Sequence, residues 1–207
     1  LPGDSKYIDE HTAGLPGKEV RTVDDSQIID LFFVRSELAI SELDAKYGKV
    51  CHKLAHNILD SRQDAEECVN DAYLGTWNAI PPQRPDPLLP FVCVLVRRYS
   101  IMRYRANTAM KRNSSYDACM EEIENCIAAP GRVEDHYEAK VLARTIERFL
   151  DTLNRENRVI FMRRYWYSDS MQDIAAMIGS TANSVAVRLY RLREKLRHYL
   201  IREGLLV

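Results

Sequence analysis

Glycine is scarce in this chain, and no segment shows the alternation of Val, Ile or Thr that is typical of β-strands. Only 8 glycines occur in 207 residues. A half-buried strand alternates apolar and polar residues, whereas an amphipathic helix repeats its apolar residues every three or four positions. Apolar residues make up 46% of the chain, which is enough to bury a hydrophobic core. These features together predict an all-α protein.

Long apolar runs are also missing. No run approaches the roughly 20 residues that a transmembrane helix needs. The N-terminal residues are polar and contain several glycines and prolines, unlike the apolar core of a secretory signal. We therefore expect no membrane insertion, and we interpret residues 1–23 as a flexible leader or an engineered remnant outside the fold.

The cysteines and histidines do not have the spacing of a metal site. Cys119 and Cys126 with His136 match no standard zinc pattern, and no third ligand accompanies His52 and His56. The number of cysteines is odd and three lie in apolar helical patterns, which indicates reduced thiols and a cytoplasmic location. We predict no metal and no cofactor. The five cysteines are Cys51, Cys68, Cys93, Cys119 and Cys126.

Motifs of the common nucleotide-binding and metal-dependent enzymes are absent. The segment Gly14-Leu-Pro-Gly-Lys18 is too short for a Walker phosphate-binding loop, and no His-Glu-x-x-His pattern occurs. An enzyme that acts on nucleic acid would need carboxylates or a metal beside a basic groove. The acidic residues instead follow the outer face of one predicted helix and a segment near the middle of the chain. We therefore expect a protein that is not an enzyme.

The net charge is only -1, but the basic residues are concentrated in two blocks. An acidic stretch between residues 117 and 138 separates these blocks. Two separate basic patches on an otherwise acidic chain predict two contacts with one polyanion. The first block contains Arg97, Arg98, Arg103, Arg105, Lys111 and Arg112, and the second contains Arg188, Arg191, Arg193, Lys195, Arg197 and Arg202.

Residues 24–112 are predicted to form a first helical domain. Ser61 followed by Asp64 indicates the start of a helix with one clean apolar stripe. Four prolines between residues 81 and 87 then predict a rigid loop. Asp86 can cap the next helix and Pro87 can occupy its first position, since the missing N–H is not needed there. That helix is apolar at first and then strongly basic.

Residues 133–207 are predicted to form a second domain after a linker at residues 113–132 that holds a helical turn or two. Ser170 begins a short helix, Gly179 ends it, and Thr181 begins a long basic helix. A short helix, a turn with glycine and a long basic helix form a helix-turn-helix, which predicts DNA binding in the major groove. The alternative is a solvated basic face on an ordinary helical bundle. The predicted stripe of the long helix is Val185, Leu189, Leu192, Leu196 and Leu200.

The segment Asp173–Leu196, DIAAMIGSTANSVAVRLYRLREKL, resembles the fourth conserved region of extracytoplasmic-function sigma factors (group IV), which are bacterial RNA polymerase specificity subunits. The resemblance implies that the long helix reads the minus-thirty-five promoter element. Ala186 departs from the family pattern, because relatives often have a basic residue there. The residues implied to meet DNA are Asn183, Ser184, Val187, Arg188, Tyr190 and Arg191.

An independent resemblance lies in the first domain. Asp64–Trp77, DAEECVNDAYLGTW, is similar to the family helix that docks on RNA polymerase core. The resemblance implies contacts with the clamp helices of the largest subunit, a further contact with the flap, and binding to promoter DNA and to an anti-sigma factor. Without it, the acids of this helix are best explained as a solvated face. The implied polymerase-binding residues are Asp64, Glu67, Asn70 and Asp71.

Residues 91–112 resemble the part of the family that opens and holds the minus-ten element, and the proline-rich loop resembles the one that captures a flipped base. Basic residues with tyrosines suit a single strand, which binds by charge and stacking. The alternatives are core packing for the tyrosines and a stiff connector for the loop. The implied residues are Gln83, Arg84, Asp86, Arg97, Arg98, Tyr99, Arg103, Tyr104 and Arg105.

The sequence therefore predicts a sigma factor that directs RNA polymerase core to specific promoters and assists promoter melting. A free-standing helix-turn-helix regulator that binds operators as a dimer is the alternative function.

Overall fold

The computed structural model describes residues 23–59, 61–107, 115–127 and 136–206. Within these ranges all regular elements are α-helices, as the sequence predicts. Most of the predicted leader, and the basic residues Lys111 and Arg112, lie outside the described residues. The helices are α1 Asp25–Phe33, α2 Leu38–Ile58, α3 Arg62–Ala79, α4 Leu88–Asn107, α5 Ser115–Ile127, α6 His136–Thr152, α7 Arg155–Tyr165, α8 Met171–Ile178 and α9 Ala182–Arg202.

The chain divides into two compact units between Ser114 and Ser115. Helices α1 to α4 form the first unit, and α5 to α9 form the second. This arrangement confirms the prediction of two helical bundles. None of the helices in the described ranges is long and apolar enough to cross a membrane.

The first unit is held together by a core to which all four helices contribute. Phe32 of α1, Leu54 of α2 and Val96 of α4 are fully buried, and the Phe32 ring meets that of Trp77 of α3 edge to face at 6.0 Å. Burying one such aliphatic or aromatic side chain contributes about 1.5–3 kcal/mol relative to leaving it in water. The apolar stripes seen in the sequence are therefore the faces that hold this bundle together.

Helix starts in this unit are predicted well in one case and wrongly in another. The Ser61 hydroxyl accepts a hydrogen bond from the Asp64 amide at 3.2 Å, as the sequence predicts for α3. Helix α4, however, begins at Leu88 and not at Pro87. The Leu88 amide donates to Asp25 of α1 at 3.2 Å, so a residue distant in sequence, rather than Asp86, satisfies this amide.

Helix α5 lies where the sequence analysis expects a linker with a helical turn or two. It has 13 residues and belongs to the second unit, with Tyr116, Cys119 and Cys126 buried. Its apolar residues Tyr116, Cys119, Met120, Ile123 and Cys126 recur at three- and four-residue steps, and a charged residue, Glu122, makes its main polar contacts. The segment therefore has the apolar periodicity of an amphipathic helix, and the prediction of only a helical turn or two is too short.

The helix-turn-helix has the local structure that the sequence predicts. Ser170 and Thr181 each accept a hydrogen bond from the amide three residues later, at 3.1 Å and 3.2 Å. Gly179 ends α8 with φ of 65°, a left-handed conformation that favours glycine. The predicted stripe of α9 from Val185 to Leu200 is buried throughout. Burial of this stripe fixes which face of α9 remains exposed.

Candidate nucleic-acid interface

The face of α9 opposite its buried stripe carries the residues expected to read DNA. Val187 is 43% exposed and Tyr190 is 58% exposed, although valine and tyrosine side chains are more often buried. Asn183 and Arg191 are exposed, while Ser184 and Arg188 are half-buried at the edges. An α-helix fits the major groove of B-DNA, so this face can present these side chains to base edges and phosphates. The structure thus brings all six predicted residues to one helix.

Arg188 is already engaged within the unit. Its guanidinium forms a salt bridge with the Glu156 carboxylate in the first turn of α7. Both side chains are partly exposed, and such surface pairs typically contribute about 0–1 kcal/mol to stability. Contact with DNA would therefore require Arg188 to exchange Glu156 for a DNA group, whereas the exposed Arg191 is not held by this contact.

The second basic block also contains an arginine that serves the fold. The Arg193 guanidinium donates to Glu122 of α5 at 3.0 Å and to the Tyr165 hydroxyl at 2.8 Å. Arg164 donates to the same Glu122 at 2.7 Å. Desolvation, together with the nearby Glu122 carboxylate, raises the pKa of Tyr165 and keeps its hydroxyl protonated. The Cys126 thiol donates to the Arg193 carbonyl at 3.1 Å. This cluster attaches α5 to the second unit.

The four predicted polymerase-binding residues of α3 form two pairs that differ in their surroundings. Asn70 and Asp71 are exposed on its outer face. Asp64 and Glu67 instead accept hydrogen bonds from Arg103 of α4, at 3.1 Å and 3.0 Å. The structure therefore joins residues expected to meet polymerase with a residue expected to meet the minus-ten element. Sequence reasoning missed this contact because it lies between two helices.

Arg103 is consequently part of the α3–α4 packing. It is 34% exposed, and Asn107 donates a further hydrogen bond to Asp64 at 3.0 Å. Desolvation lowers the pKa of Arg103, but the charges of Glu67 and its neighbours outweigh it and raise the pKa overall. Arg103 stays charged in this setting.

The remaining predicted residues of α4 differ in how accessible they are. Arg98 and Arg105 are exposed, and Arg97, Tyr99 and Tyr104 are half-buried. A Cβ atom added at Gly75 of α3 would come within 3.1 Å of the Tyr99 hydroxyl, so this tyrosine packs closely against α3. Tyr99 therefore has a structural role, and only part of its ring is available for stacking on a base.

The proline-rich loop presents its three predicted residues to solvent. Gln83, Arg84 and Asp86 are all exposed. The Arg84 guanidinium pairs with Asp30 of α1 at 2.6 Å and lies 5.3 Å from the centre of the Phe33 ring. The middle of the loop is thus attached to α1.

One residue that sequence reasoning missed connects three helices beside this loop. The Asp25 carboxylate accepts hydrogen bonds from Lys46 and Tyr47 of α2 and from the Leu88 amide of α4. Burial raises the pKa of Asp25, but these hydrogen bonds and the charge of Lys46 outweigh it, so the pKa is lowered overall. An acid in the first turn of a helix is common, and nothing in the local sequence indicates these distant partners.

The cysteines and other potential metal ligands do not form a site in the part of the chain that the structure describes. All five cysteines are buried free thiols. No group of three or more His, Cys, Asp or Glu side chains there could hold a metal ion.

Comparison with known proteins gives two matches, each on one of the two units. Sigma-70 region 2 matches residues 43–110 and Sigma-70 region 4 matches residues 143–196. The first range contains α3, the proline-rich loop and α4, and the second contains the helix-turn-helix. The two ranges together cover more than half of the chain. The chain belongs to the sigma-70 family.

A sigma factor directs RNA polymerase core to specific promoters at the initiation of transcription, and this is the function of the chain. Its partners are accordingly RNA polymerase core and promoter DNA. Sigma-70 regions 2 and 4 are DNA-binding regulatory regions without catalytic activity, which supports a role other than that of an enzyme. Helices α1 and α5 lie outside both matched ranges.

Among solved structures, the chain is similar to "Structure of CnrH in complex with the cytosolic domain of CnrY". The identity is 19%, the TM-score is 0.37, and the match covers 86% of this sigma factor and 97% of the other chain. A search of curated proteins finds no match.

Proposed function

We propose that this chain is a sigma factor of the extracytoplasmic-function type, with residues 24–112 as its region 2 domain and residues 133–207, together with α5, as its region 4 domain. The observation that supports this most strongly is the order and spacing of the two matched regions. Region 2 ends at residue 110 and region 4 begins at residue 143, which leaves a short interval between them. We place its action in the cytoplasm, where RNA polymerase works.

The exposed face of α9 reads the minus-thirty-five element in this proposal. Arg191 and Tyr190 are exposed at the centre of that face, and Val187 can contact a thymine methyl group. Arg188 joins them after it leaves Glu156. Ser184 and Asn183 lie near the start of α9, where short polar side chains and backbone amides suit phosphate contacts.

The outer face of α3 binds the clamp helices of polymerase. Asn70 and Asp71 are exposed and make the primary contact. Asp64 and Glu67 contribute at the edge of this surface, where they already hold Arg103. The flap of the polymerase is a second contact, which we assign to the region 4 domain on the family resemblance alone.

Helix α4 and the proline-rich loop hold the melted minus-ten element. Arg98 and Arg105 are exposed and can follow the phosphates of a single strand, with Arg97, Tyr99 and Tyr104 beside them. Gln83, Arg84 and Asp86 surround the position where a flipped base is captured. Melting needs no hydrolysis by this chain, because tighter binding of unpaired than of paired bases shifts the population toward the open state.

An anti-sigma factor is a further proposed partner, on the family resemblance. In a solved structure, CnrH is in complex with the cytosolic domain of CnrY.

Transcription in vitro with core polymerase tests the proposed function. Core polymerase with this chain is expected to start transcription at defined promoters that core alone does not use. A free-standing regulator would instead bind an operator tightly by itself and give no specific transcript with core polymerase. That outcome would contradict the proposal.

Charge reversal on α3 tests the proposed polymerase surface. Asp71→Lys is expected to weaken binding to core polymerase about tenfold or more, because a like charge at a charged contact costs on the order of 1.4 kcal/mol or more. Glu37→Lys is the matched control, since Glu37 is an exposed acid of the same unit that lies at the start of α2 and not on α3. Equal affinity of Asp71→Lys and the unaltered protein for core polymerase would rule out this surface.

A further inference from the structure

We propose that Asp25 is a positioning residue for promoter opening, which fixes the start of the basic helix α4 and, with it, the end of the proline-rich loop. This inference rests on the proposed role of the loop and α4 at the minus-ten element. Asp25 lies in α1, outside the residues that match Sigma-70 region 2.

The contacts of Asp25 bring three helices to one carboxylate. Its Oδ1 atom accepts hydrogen bonds from the Lys46 ammonium and the Tyr47 hydroxyl, both at 2.6 Å. Its Oδ2 atom accepts one from the Leu88 amide at 3.2 Å. Lys46 also donates to the Val23 carbonyl at 2.8 Å. The side chain is 24% exposed, so these charge-assisted bonds are only partly screened by water.

The start of α4 depends on a partner from outside the helix. The first amides of any helix lack a partner within it, and a negative charge near them is favourable. Pro87 and Pro90 have no N–H, so few amides are available at the start of α4 to hold it in place. The Leu88 amide is one of them, and Asp25 accepts its hydrogen bond. The carboxylate thus determines where α4 begins relative to α1 and α2.

A second contact attaches the same loop to α1. Asp30 pairs with Arg84 in the middle of the loop at 2.6 Å, and the guanidinium lies over the Phe33 ring. Helix α1 therefore holds the loop segment at its middle through Asp30 and at its end through Asp25. The loop binds a flipped base more tightly if it is already ordered in the free protein, because any conformational freedom that it loses on binding costs free energy.

The substitution Asp25→Asn tests this role with little change of shape. The asparagine side chain lacks the negative charge that faces the Lys46 ammonium and the Leu88 amide at the start of α4. One of the two carboxylate oxygens is also replaced by an NH2 group, which donates hydrogen bonds and does not accept them. We expect open complexes on duplex promoters to form about tenfold less efficiently, as the loss of charge-assisted hydrogen bonds allows. On a template whose minus-ten region is already unpaired, the defect is expected to be much smaller, because the free-energy cost of melting no longer has to be offset.

The control is Glu37→Gln, which removes one negative charge from the same unit at an exposed residue with no capping hydrogen bond. Polymerase affinity and binding of the minus-thirty-five duplex are expected to stay unchanged in Asp25→Asn, since neither surface includes Asp25. If Asp25→Asn does not fold, Asp30→Asn and Tyr47→Phe each remove one contact and are expected to show a smaller defect on duplex templates, which again decreases on unpaired templates.

Two results would overturn the inference. One is full activity of Asp25→Asn on duplex promoters, and the other is an equal defect on duplex and unpaired templates, which would indicate a general loss of structure. Failure of the unaltered protein to direct initiation at any promoter would instead count against the proposed function, so the two failures are distinguishable.

Discussion

Individual arginines in this protein serve different purposes although the sequence presents them as two uniform basic blocks. Arg193 and Arg103 are held by carboxylates inside their own units, and Arg188 is held at the edge of α9. Arg191 and Arg98 are exposed. The environment of each guanidinium, rather than its place in a basic block, decides whether it is available to DNA.

Arg191 offers the clearest test at this scale. Arg191→Ala is expected to cost about 1–3 kcal/mol of DNA affinity at one position of the minus-thirty-five element if the guanidinium contacts a base. Binding of the region 4 domain in the full chain, with core polymerase, to promoters substituted one base at a time measures this cost. Arg197→Ala, at an exposed arginine six residues further along α9, is the control. A uniform loss over all sequences would mean that Arg191 contacts a phosphate.

At the scale of the helix, α5 shows how a single carboxylate can add to the attachment of a helix that also buries an apolar face. Glu122 accepts hydrogen bonds from Arg164, Tyr165 and Arg193, and it is 20% exposed. Removing one partner from such a cluster leaves the others without a counter-charge, which costs more than the pair itself contributes.

Glu122→Gln is therefore expected to destabilise the second unit by about 2–3 kcal/mol, somewhat less than a fully buried pair because Glu122 keeps some contact with water. Urea unfolding of the full chain, followed by a probe in the second unit, measures this value. Glu121→Gln is the matched control, since Glu121 is the neighbouring acid and is exposed. Equal midpoints for both variants would show that Glu122 does not hold α5.

The sequence predicted the helices whose ends and faces depend on local residues. Ser61, Ser170, Thr181 and Gly179 set helix ends through contacts within a few residues, and these predictions are confirmed. Features set by distant residues could not be predicted in this way. The start of α4 depends on Asp25, and the docking of α5 depends on arginines in α7 and α9, so each needed the tertiary structure.

In the candidate site, too, features set by local residues could be predicted and features set by distant residues could not. The exposed face of α9 is the complement of its buried stripe, so it could be located from the apolar periodicity. The pairing of Arg103 with Asp64 and Glu67 could not, because charge patterning along a chain does not indicate which basic and acidic helices meet. The site residues themselves remain predictions from the family resemblance.

For the whole molecule, the important property is that two DNA-binding units belong to one chain. Two weak contacts that are linked bind one promoter with a high effective concentration, but only if the distance between the two elements suits the link. Selectivity for promoters then depends on spacing as well as on sequence.

Changing the spacer between the two promoter elements by about five base pairs, roughly half a helical turn of DNA, is therefore expected to reduce transcription strongly. Start-site mapping and transcript yield from a series of spacer lengths measure the effect with core polymerase and this chain. The control is a pair of promoters whose spacers have the same length but different base sequences. Equal yield at all spacer lengths would show that the two units do not engage one promoter together.

The bridge that Arg103 makes to Asp64 and Glu67 has a genetic consequence. Asp64 and Glu67 lie on the surface proposed for polymerase, yet they hold an arginine of the helix proposed for the melted strand. Selections for sigma factors that no longer associate with core enzyme and selections for sigma factors that fail at opening should therefore recover substitutions at the same two codons. Alleles at Asp71, which is not a member of the bridge, should appear in the first selection alone.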